Sequence, residues 1–162
     1  MSELMQPSYA VGCGIKGALP LCTRHLTSYN NERLHTFIHD SACGLGAVTQ
    51  NILAIARPDT IKIHATDLSA SMVNIYNNIA SASNWRSRAV IMDAQKLEFL
   101  DATFSHVFLS FGSPLIDDLV AAAKEMYRTL KPGGTAVTAL WLNNPQGDCA
   151  QDTRQAIWGP SP

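Results

Sequence analysis

Three aspartates each follow a short apolar run: Asp40 after Phe37-Ile38, Asp67 after Ile61–Thr66, and Asp93 after Ala89–Met92. An ionised carboxylate accepts hydrogen bonds and donates none, so it suits a ligand rich in hydroxyl or amino donors. Directly behind the first acid comes Ser41-Ala42-Cys43-Gly44-Leu45-Gly46. Glycines there let main chain approach a ligand with no side chain between them. A helix opening after the turn adds unpaired N–H groups and the positive end of its dipole. Asp67 lies 21 residues beyond Gly46, near the roughly 20-residue spacing at which an acid reaches a ribose diol. The dinucleotide fingerprint G-x-G-x-x-G/A fits poorly, because its third small position falls on Thr49. Glycine turns also join strands to helices with no ligand involved, and a lone Asp67 could merely cap a helix. The three acids in step with one glycine turn argue against coincidence.

Elements of alternating type must hold these residues. A first strand is expected over His35–His39, and a helix over Ala47–Arg57 with Val48, Ile52 and Ile55 on its apolar face. Pro58 closes that helix, since proline disfavours helical backbone in the residue before it. The second strand is Ile61–Thr66, ending at Asp67. Ser69 is the expected N-cap of a second helix with Met72, Tyr76 and Ile79 inward. A third strand is Ala89–Met92 and a fourth Ser105–Ser110. A helix over Asp117–Leu130 buries Leu119, Met126 and Leu130, and Lys131-Pro132-Gly133-Gly134 stops it. The fifth strand is Thr135–Leu142, and Gln151–Ile157 could open another helix. Strands alternating with helices predict an α/β fold: a Rossmann-like, doubly wound parallel sheet of about five strands. Its strand ends share one edge, where ligands bind.

The first 30 residues carry little pattern. Gly12, Gly14 and Gly17 weaken any helix there, Pro20 interrupts a short apolar run, and a short helix could occupy part of Leu21–Tyr29.

The 162 residues suffice for one domain with a sizeable core, and 46% of them are hydrophobic. Only 15% are charged, below the usual quarter, which points to limited solvated surface or to surface hidden against a partner. A net charge of −1 gives no general attraction to nucleic acid or membrane. Cys13, Cys22, Cys43 and Cys149 show no C-x-x-C pair and no metal spacing. With no leader-like or membrane-length apolar run, the expectation is a cytoplasmic chain with reduced thiols and no metal. Cys43 reads as a small packing residue, because no histidine is placed by sequence to activate it.

The same stretches carry a family resemblance. Asp40-Ser41-Ala42-Cys43-Gly44-Leu45-Gly46 resembles motif I of the class I S-adenosylmethionine-dependent methyltransferases, usually D-x-G-x-G-x-G. Asp67-Leu68-Ser69 with Met72 resembles their D-L-S-x-x-M segment, and Asp93-Ala94-Gln95 with Leu97 their D-A-x-x-L segment. Arg128-Thr129-Leu130-Lys131-Pro132-Gly133-Gly134 resembles the R-x-L-K-P-G-G before their fifth strand. The match is nearest to fungal secondary-metabolite methyltransferases, where Ala42 is an ordinary variant.

The resemblance implies S-adenosylmethionine or S-adenosylhomocysteine as ligand. Backbone at Ala42, Cys43, Gly44 and Gly46 would hold the methionine part, with Asp40 orienting its ammonium group. Asp67 would hold the ribose, and Leu68 and Met72 would lie against the adenine. Asp93 would accept from the adenine amino group while the Ala94 N–H donates to the ring. Ser110, Phe111 and Gly112 would face the methyl-donor end. The implied reaction is methyl transfer to a small-molecule hydroxyl. The other function class is a methyltransferase-like protein that no longer methylates, acting as a partner subunit or in rearrangement or cyclisation. No catalytic base stands out: His35, His64 and His106 read as strand residues, and His39 is the one histidine beside the motif.

The resemblance also divides the chain: 1–34 an N-terminal segment that could cover the cofactor, 35–142 the cofactor-binding domain, and 143–162 a shortened tail. The family continues with two more strands, so the sequence looks cut short. The fifth strand would then be an apolar edge, covered by a second copy, by a partner chain, or by the tail after Asn143 folding back over it.

Overall fold

The computed structural model describes residues 8–13, 36–55, 61–140, 153–157 and 159. In chain order these form β1 (Ser8–Cys13), β2 (Thr36–Ser41), α1 (Ala47–Ile55), β3 (Ile61–Asp67), α2 (Ala70–Ala82) and β4 (Arg88–Ile91). There follow β5 (Phe104–Ser110), a 3-10 turn (Ser113–Leu115), α3 (Leu119–Thr129) and β6 (Leu130–Leu140). Residues 153–157 are helical, within the stretch where a further helix was expected.

The six strands form one sheet in the order β1-β6-β5-β2-β3-β4. Every neighbouring pair is parallel. The order reverses between β5 and β2, next to the glycine turn, which is where open α/β sheets take their ligands. Helices cover both faces. Ile52 of α1 packs on Ile38, Ile63, Phe108 and Val137. Val73, Tyr76 and Ala80 of α2 pack on Ala65 and Ala89. Met126 of α3 packs on Val107, Leu109 and Ala136, strand residues of the opposite parity. Strands buried on both faces carry apolar residues of both parities, as Val107-Phe108-Leu109 of β5 and Ala136-Val137 of β6 do.

The five expected strands are present, and β1 is a sixth. It runs beside β6 from Ser8↔Thr135 to Cys13↔Leu140. The expectation that the fifth strand (β6) forms an open edge needing a partner is thereby corrected. The chain's own residues 8–13 lie along it, and the argument for a covering copy or partner chain falls away. Within the 1–34 segment expected to cover the cofactor, residues 8–13 are part of the sheet. The possible helix within Leu21–Tyr29 lies outside the described residues.

Two helix faces differ from expectation. On α2 the buried residues are Val73, Tyr76 and Ala80, while Met72 is exposed and Ile79 half-buried. On α3 they are Ala122, Met126 and Thr129; Leu119 is exposed and Leu130 already begins β6. Ile55 at the end of α1 is likewise exposed. A small residue seats a helix closer to the sheet, so Ala80 and Ala122 win the inward positions over bulkier neighbours. α3 ends at Thr129, just before Lys131-Pro132-Gly133-Gly134 as expected of a helix stop, and that segment lies within β6, where a register irregularity between Phe104 and His106 accommodates it.

Candidate functional site

The register sets the site. Ser41 pairs with Thr66 on one side and Leu109 on the other, Asp67 pairs with Ile91, and Ser110 with Ala139. The glycine turn, Asp67, the segment up to Asp93 and the Ser110–Ser113 loop therefore leave the sheet at one level.

The turn is tied directly to the second acid. The Gly44 N–H donates to Asp67 Oδ2 at 2.8 Å, and the Ser69 N–H donates to Asp67 Oδ1 at 2.9 Å. The Cys43 N–H reaches the Thr66 carbonyl at 2.9 Å. Each Asp67 oxygen keeps a lone pair for a hydroxyl donor. Ser69 caps α2, its Oγ accepting from the Met72 N–H at 3.4 Å. Beside Asp67, Leu68 is 65%, Met72 37% and Ile91 58% exposed, an apolar strip at the mouth of the site.

Glycine is required at 44 and 46 for different reasons. Both have positive φ, +51° and +86°. A Cβ on Gly44 would meet nothing within 4 Å. A Cβ on Gly46 would stand 2.8 Å from Trp85 and from Tyr76. The Cβ side of Gly46 therefore faces protein packing. Ala42 and Phe111 also take positive φ, +51° and +59°, unusual for residues with a side chain. The two loops touch: a Cβ on Gly112 would lie 2.6 Å from the Ala42 Cβ. Such strain collects where a site dictates the backbone.

Asp40 is fully buried at the end of β2. The Thr49 N–H donates to its Oδ2 at 3.2 Å, and the Thr49 hydroxyl lies 2.7 Å from the same oxygen. Burial pushes its carboxyl up to about 7, Thr49 partly opposes this, and the nearby Asp67 charge adds to it. Burial likewise pushes the Cys43 thiol upward, and Asp40 and Asp67 reinforce it. The thiol is thereby held protonated beside the glycine turn.

Asp93 sits in a tight turn of its own. It accepts from the Gln95 N–H at 2.8 Å and from the Gln95 side-chain amide at 3.1 and 3.3 Å. The same amide accepts from the Asp118 N–H at 2.8 Å, tying this turn to the start of α3. Ala94 and Ser110 are half-buried nearby. Arg128 braces the loop behind them. It donates to Glu125, to Asp101 and to the Phe99 and Leu97 carbonyls, all within 2.7–2.9 Å.

His39 turns away from the site. It is buried against Phe99 and Phe104, with Nε2 2.9 Å from the Thr66 hydroxyl, and burial pushes it down to about 3. It is a neutral core residue. Among the described residues, no cluster suits a metal ion and no helix is long and apolar enough to cross a membrane.

Residue patterns alone miss two groups here. The Ser41 and Ser113 hydroxyls are buried with no hydrogen-bond partner, one before the glycine turn and one after Gly112. An unsatisfied buried hydroxyl calls for an explanation such as a ligand or water. Serine is too common to announce this in sequence; only its flanking of two motif loops hinted at it. Thr49 is the other omission, a helix residue whose contact with Asp40 depends on the turn's geometry.

The methyltransferase domain family matches residues 38–134 of this chain. The chain is similar to methyltransferase tpcH of Aspergillus fumigatus, 32% identical over 64% of this chain and 38% of that protein. It is also similar to methyltransferase ktnA of Aspergillus niger, 27% identical over 77% of this chain and 48% of that protein. It thus spans less than half the length of these relatives. Among solved structures, the cyclase SpnF superposes with a TM-score of 0.60 at 26% identity, over 75% of this chain and 44% of that one. With the sheet order, the turn and the acids already in place, this match over most of the sheet leaves one conclusion: the chain belongs to the class I S-adenosylmethionine-dependent methyltransferases.

Proposed function

We propose that this chain binds S-adenosylmethionine at the carboxyl edge of its sheet and serves methyl transfer to a hydroxyl of a small secondary-metabolite-like molecule in the cytoplasm. The observation that carries the reading is the clasp of the Gly44 N–H by Asp67 at 2.8 Å, which joins turn and acid into one rigid frame. The donor set fits the cofactor. Gly44 is open on its Cβ side, Asp67 keeps free lone pairs, an apolar strip lies beside it, and two buried hydroxyls wait unpaired. When bound, the cofactor supplies a methyl group already activated on a sulfonium.

The chain's own residues then bind and orient. Backbone at Ala42, Cys43 and Gly44 faces the amino-acid part, and Gly46 holds the turn in shape against Tyr76 and Trp85. Asp67 lowers the local potential, which suits a cationic ligand, and Asp40 lies behind the turn within reach of its ammonium group. Asp67 accepts from the ribose diol, and Leu68 and Met72 cover the adenine. Asp93 and the Ala94 N–H read the adenine edge. Ser110, Phe111 and Gly112 shape the donor end, where alignment of the reacting atoms is the main contribution a protein makes to such a transfer.

The test is titration with S-adenosylhomocysteine and with NAD, followed by incubation with methyl-labelled S-adenosylmethionine and a panel of phenols and alcohols. Binding of the first ligand and a labelled ether product support the proposal. Preference for NAD overturns the cofactor, and binding without any methylated product overturns the activity.

A further inference from the structure

A second concavity lies between α1 and the loop that joins α2 to β4, and no residue assigned a ligand contact above lines it. It is an open pocket of about 490 Å³, within the range of pockets that hold small organic molecules. Its apolar lining is Leu53 and Ala54 from α1 and Trp85 from the loop, with Leu53 and Trp85 half-buried. Around this slot stand the side chains of Gln50, Ser83 and Asn84, none of which hydrogen-bonds to another described residue. The loop is fixed by its own backbone. The Ser83 N–H donates to the Ile79 carbonyl at 2.9 Å, the Asn84 N–H to Ser81 at 3.3 Å and the Trp85 N–H to Ala80 at 2.8 Å. Asn84 takes a φ of +54°, which asparagine adopts more readily than most residues. The Trp85 ring is held from behind, edge-on to Tyr76 at 5.6 Å and close against the glycine turn at Gly46. A wall held this way loses little freedom when a ligand settles on it.

Charge around the pocket nearly cancels. Leu53 and Ala54 sit in the last turn of α1 and Ser83 is the C-cap of α2, and neither helix has a basic residue in its last turn. Each helix end carries roughly half a negative charge, and Arg86 brings one positive charge to the lining. Among the described residues no carboxylate lines the pocket. A ligand of either sign upsets this balance, and a neutral one keeps it. The Gln50 and Asn84 amides each offer both a donor and an acceptor, the complement of a ligand edge that offers the same pair. The indole offers a flat face for a ring.

We propose that this pocket is a second ligand site, for a flat, neutral aromatic molecule with a carboxamide or lactam edge. The ring packs against Trp85 and Leu53, and the edge pairs with the amides of Gln50 and Asn84. The site stands on the pocket's own lining and does not depend on the cofactor reading.

The experiment titrates the ¹⁵N-labelled chain with three probes of one shape and different charge: benzamide, benzoate and benzylammonium. The expected result is saturable shifts at the amides of Leu53, Asn84 and Trp85 with benzamide, at roughly millimolar affinity for so small a ligand. Benzoate lacks the donor of the edge and benzylammonium the acceptor, so each should bind about fivefold weaker or less. Gln50→Ala and Asn84→Gly each remove one amide from an exposed position, and glycine suits the positive φ at 84. Each should weaken benzamide about fivefold, the worth of one hydrogen bond. Absence of saturable shifts in the wild type overturns the site, as do shifts centred on Gly44, Leu68 and Gly112. Benzoate or benzylammonium binding as tightly as benzamide overturns the neutral ligand class. Unchanged benzamide affinity in both variants overturns the amide pairing.

Discussion

Replacing Gly46 by alanine separates the packing role of the glycine turn from its ligand role. At φ +86° an alanine carries left-handed strain, and its Cβ would stand 2.8 Å from Trp85 Cζ3 and from Tyr76 Cε2. Strain of this kind costs roughly 1–2 kcal/mol, and forcing a methyl group into a packed core costs about 1–3 kcal/mol more. Neither ring can retreat freely. Tyr76 is held by Thr49 and Ser87, and Trp85 stands edge-on to it at 5.6 Å. The sum is about 2–5 kcal/mol, a lowering of roughly 4–20 °C in melting temperature for a domain of this size. Gly44→Ala provides the contrast. Its φ of +51° is one that Ala42 already adopts, and its Cβ would enter open space. It should cost only about 1–2 kcal/mol of stability, yet weaken S-adenosylhomocysteine, because the new methyl stands on the side where the ligand approaches. Thermal unfolding followed by circular dichroism, with calorimetric titration of both variants, reads the two effects apart. Equal melting temperatures for Gly46→Ala and the wild type would refute the packing argument, and an unweakened Gly44→Ala would refute the ligand side.

Three further outcomes follow from the contacts. Arg128→Lys gives up the planar fork that holds Glu125, Asp101 and the Leu97 and Phe99 carbonyls, and should lose about 1.5–3 kcal/mol in denaturant unfolding; a loss below about 0.5 kcal/mol, the scale of an exposed ion pair, would contradict this. Removing residues 1–13 bares the free edge of β6, so light scattering should show concentration-dependent association absent from the intact chain; an equally monodisperse truncated protein would count against β1 as the covering strand. His39 and Asp40 push stability in opposite directions with pH. The unfolded chain protonates His39 first, so that contribution is lost as pH falls from about 6.5 toward about 3. Folded Asp40 keeps its proton up to about 7 while the unfolded chain releases it near 3.8, so stability falls as pH rises across that window. Asp40→Asn should therefore leave a stability that rises more steeply with pH between about 4 and 6.5, measured by urea unfolding; an unchanged slope would contradict the burial of a neutral Asp40.

The parallel sheet and its ligand edge were legible because they are written locally. The strands are short apolar runs, and β2, β3 and β4 lead directly to Asp40, Asp67 and Asp93. What stayed hidden depends on distance. β1 has only a short apolar core, Tyr9-Ala10-Val11, and its partner begins at Thr135. On α2 and α3 size alone points inward at Met72 and Leu119, while the close approach of helix to sheet selects Ala80 and Ala122. The packing need for glycine at Gly46 is likewise invisible locally, because Tyr76 and Trp85, which fill its Cβ side, lie far along the chain. The buried contacts of the Tyr76 hydroxyl with Thr49 and Ser87 could not be read at all, since a tyrosine on a helix face shows its bulk in the sequence pattern and not the partner of its hydroxyl.

Titration of ¹⁵N-labelled protein with S-adenosylhomocysteine, followed by amide resonances, tests the cofactor site most directly. The account predicts saturable shifts at Gly44, Leu68, Ala94 and Gly112, and their loss or displacement to about 10–100-fold higher ligand concentration in Asp67→Ala, the range of one or two charged hydrogen bonds. Absence of binding, or shifts confined to the opposite end of α1 around Leu53 and Arg86, would contradict it.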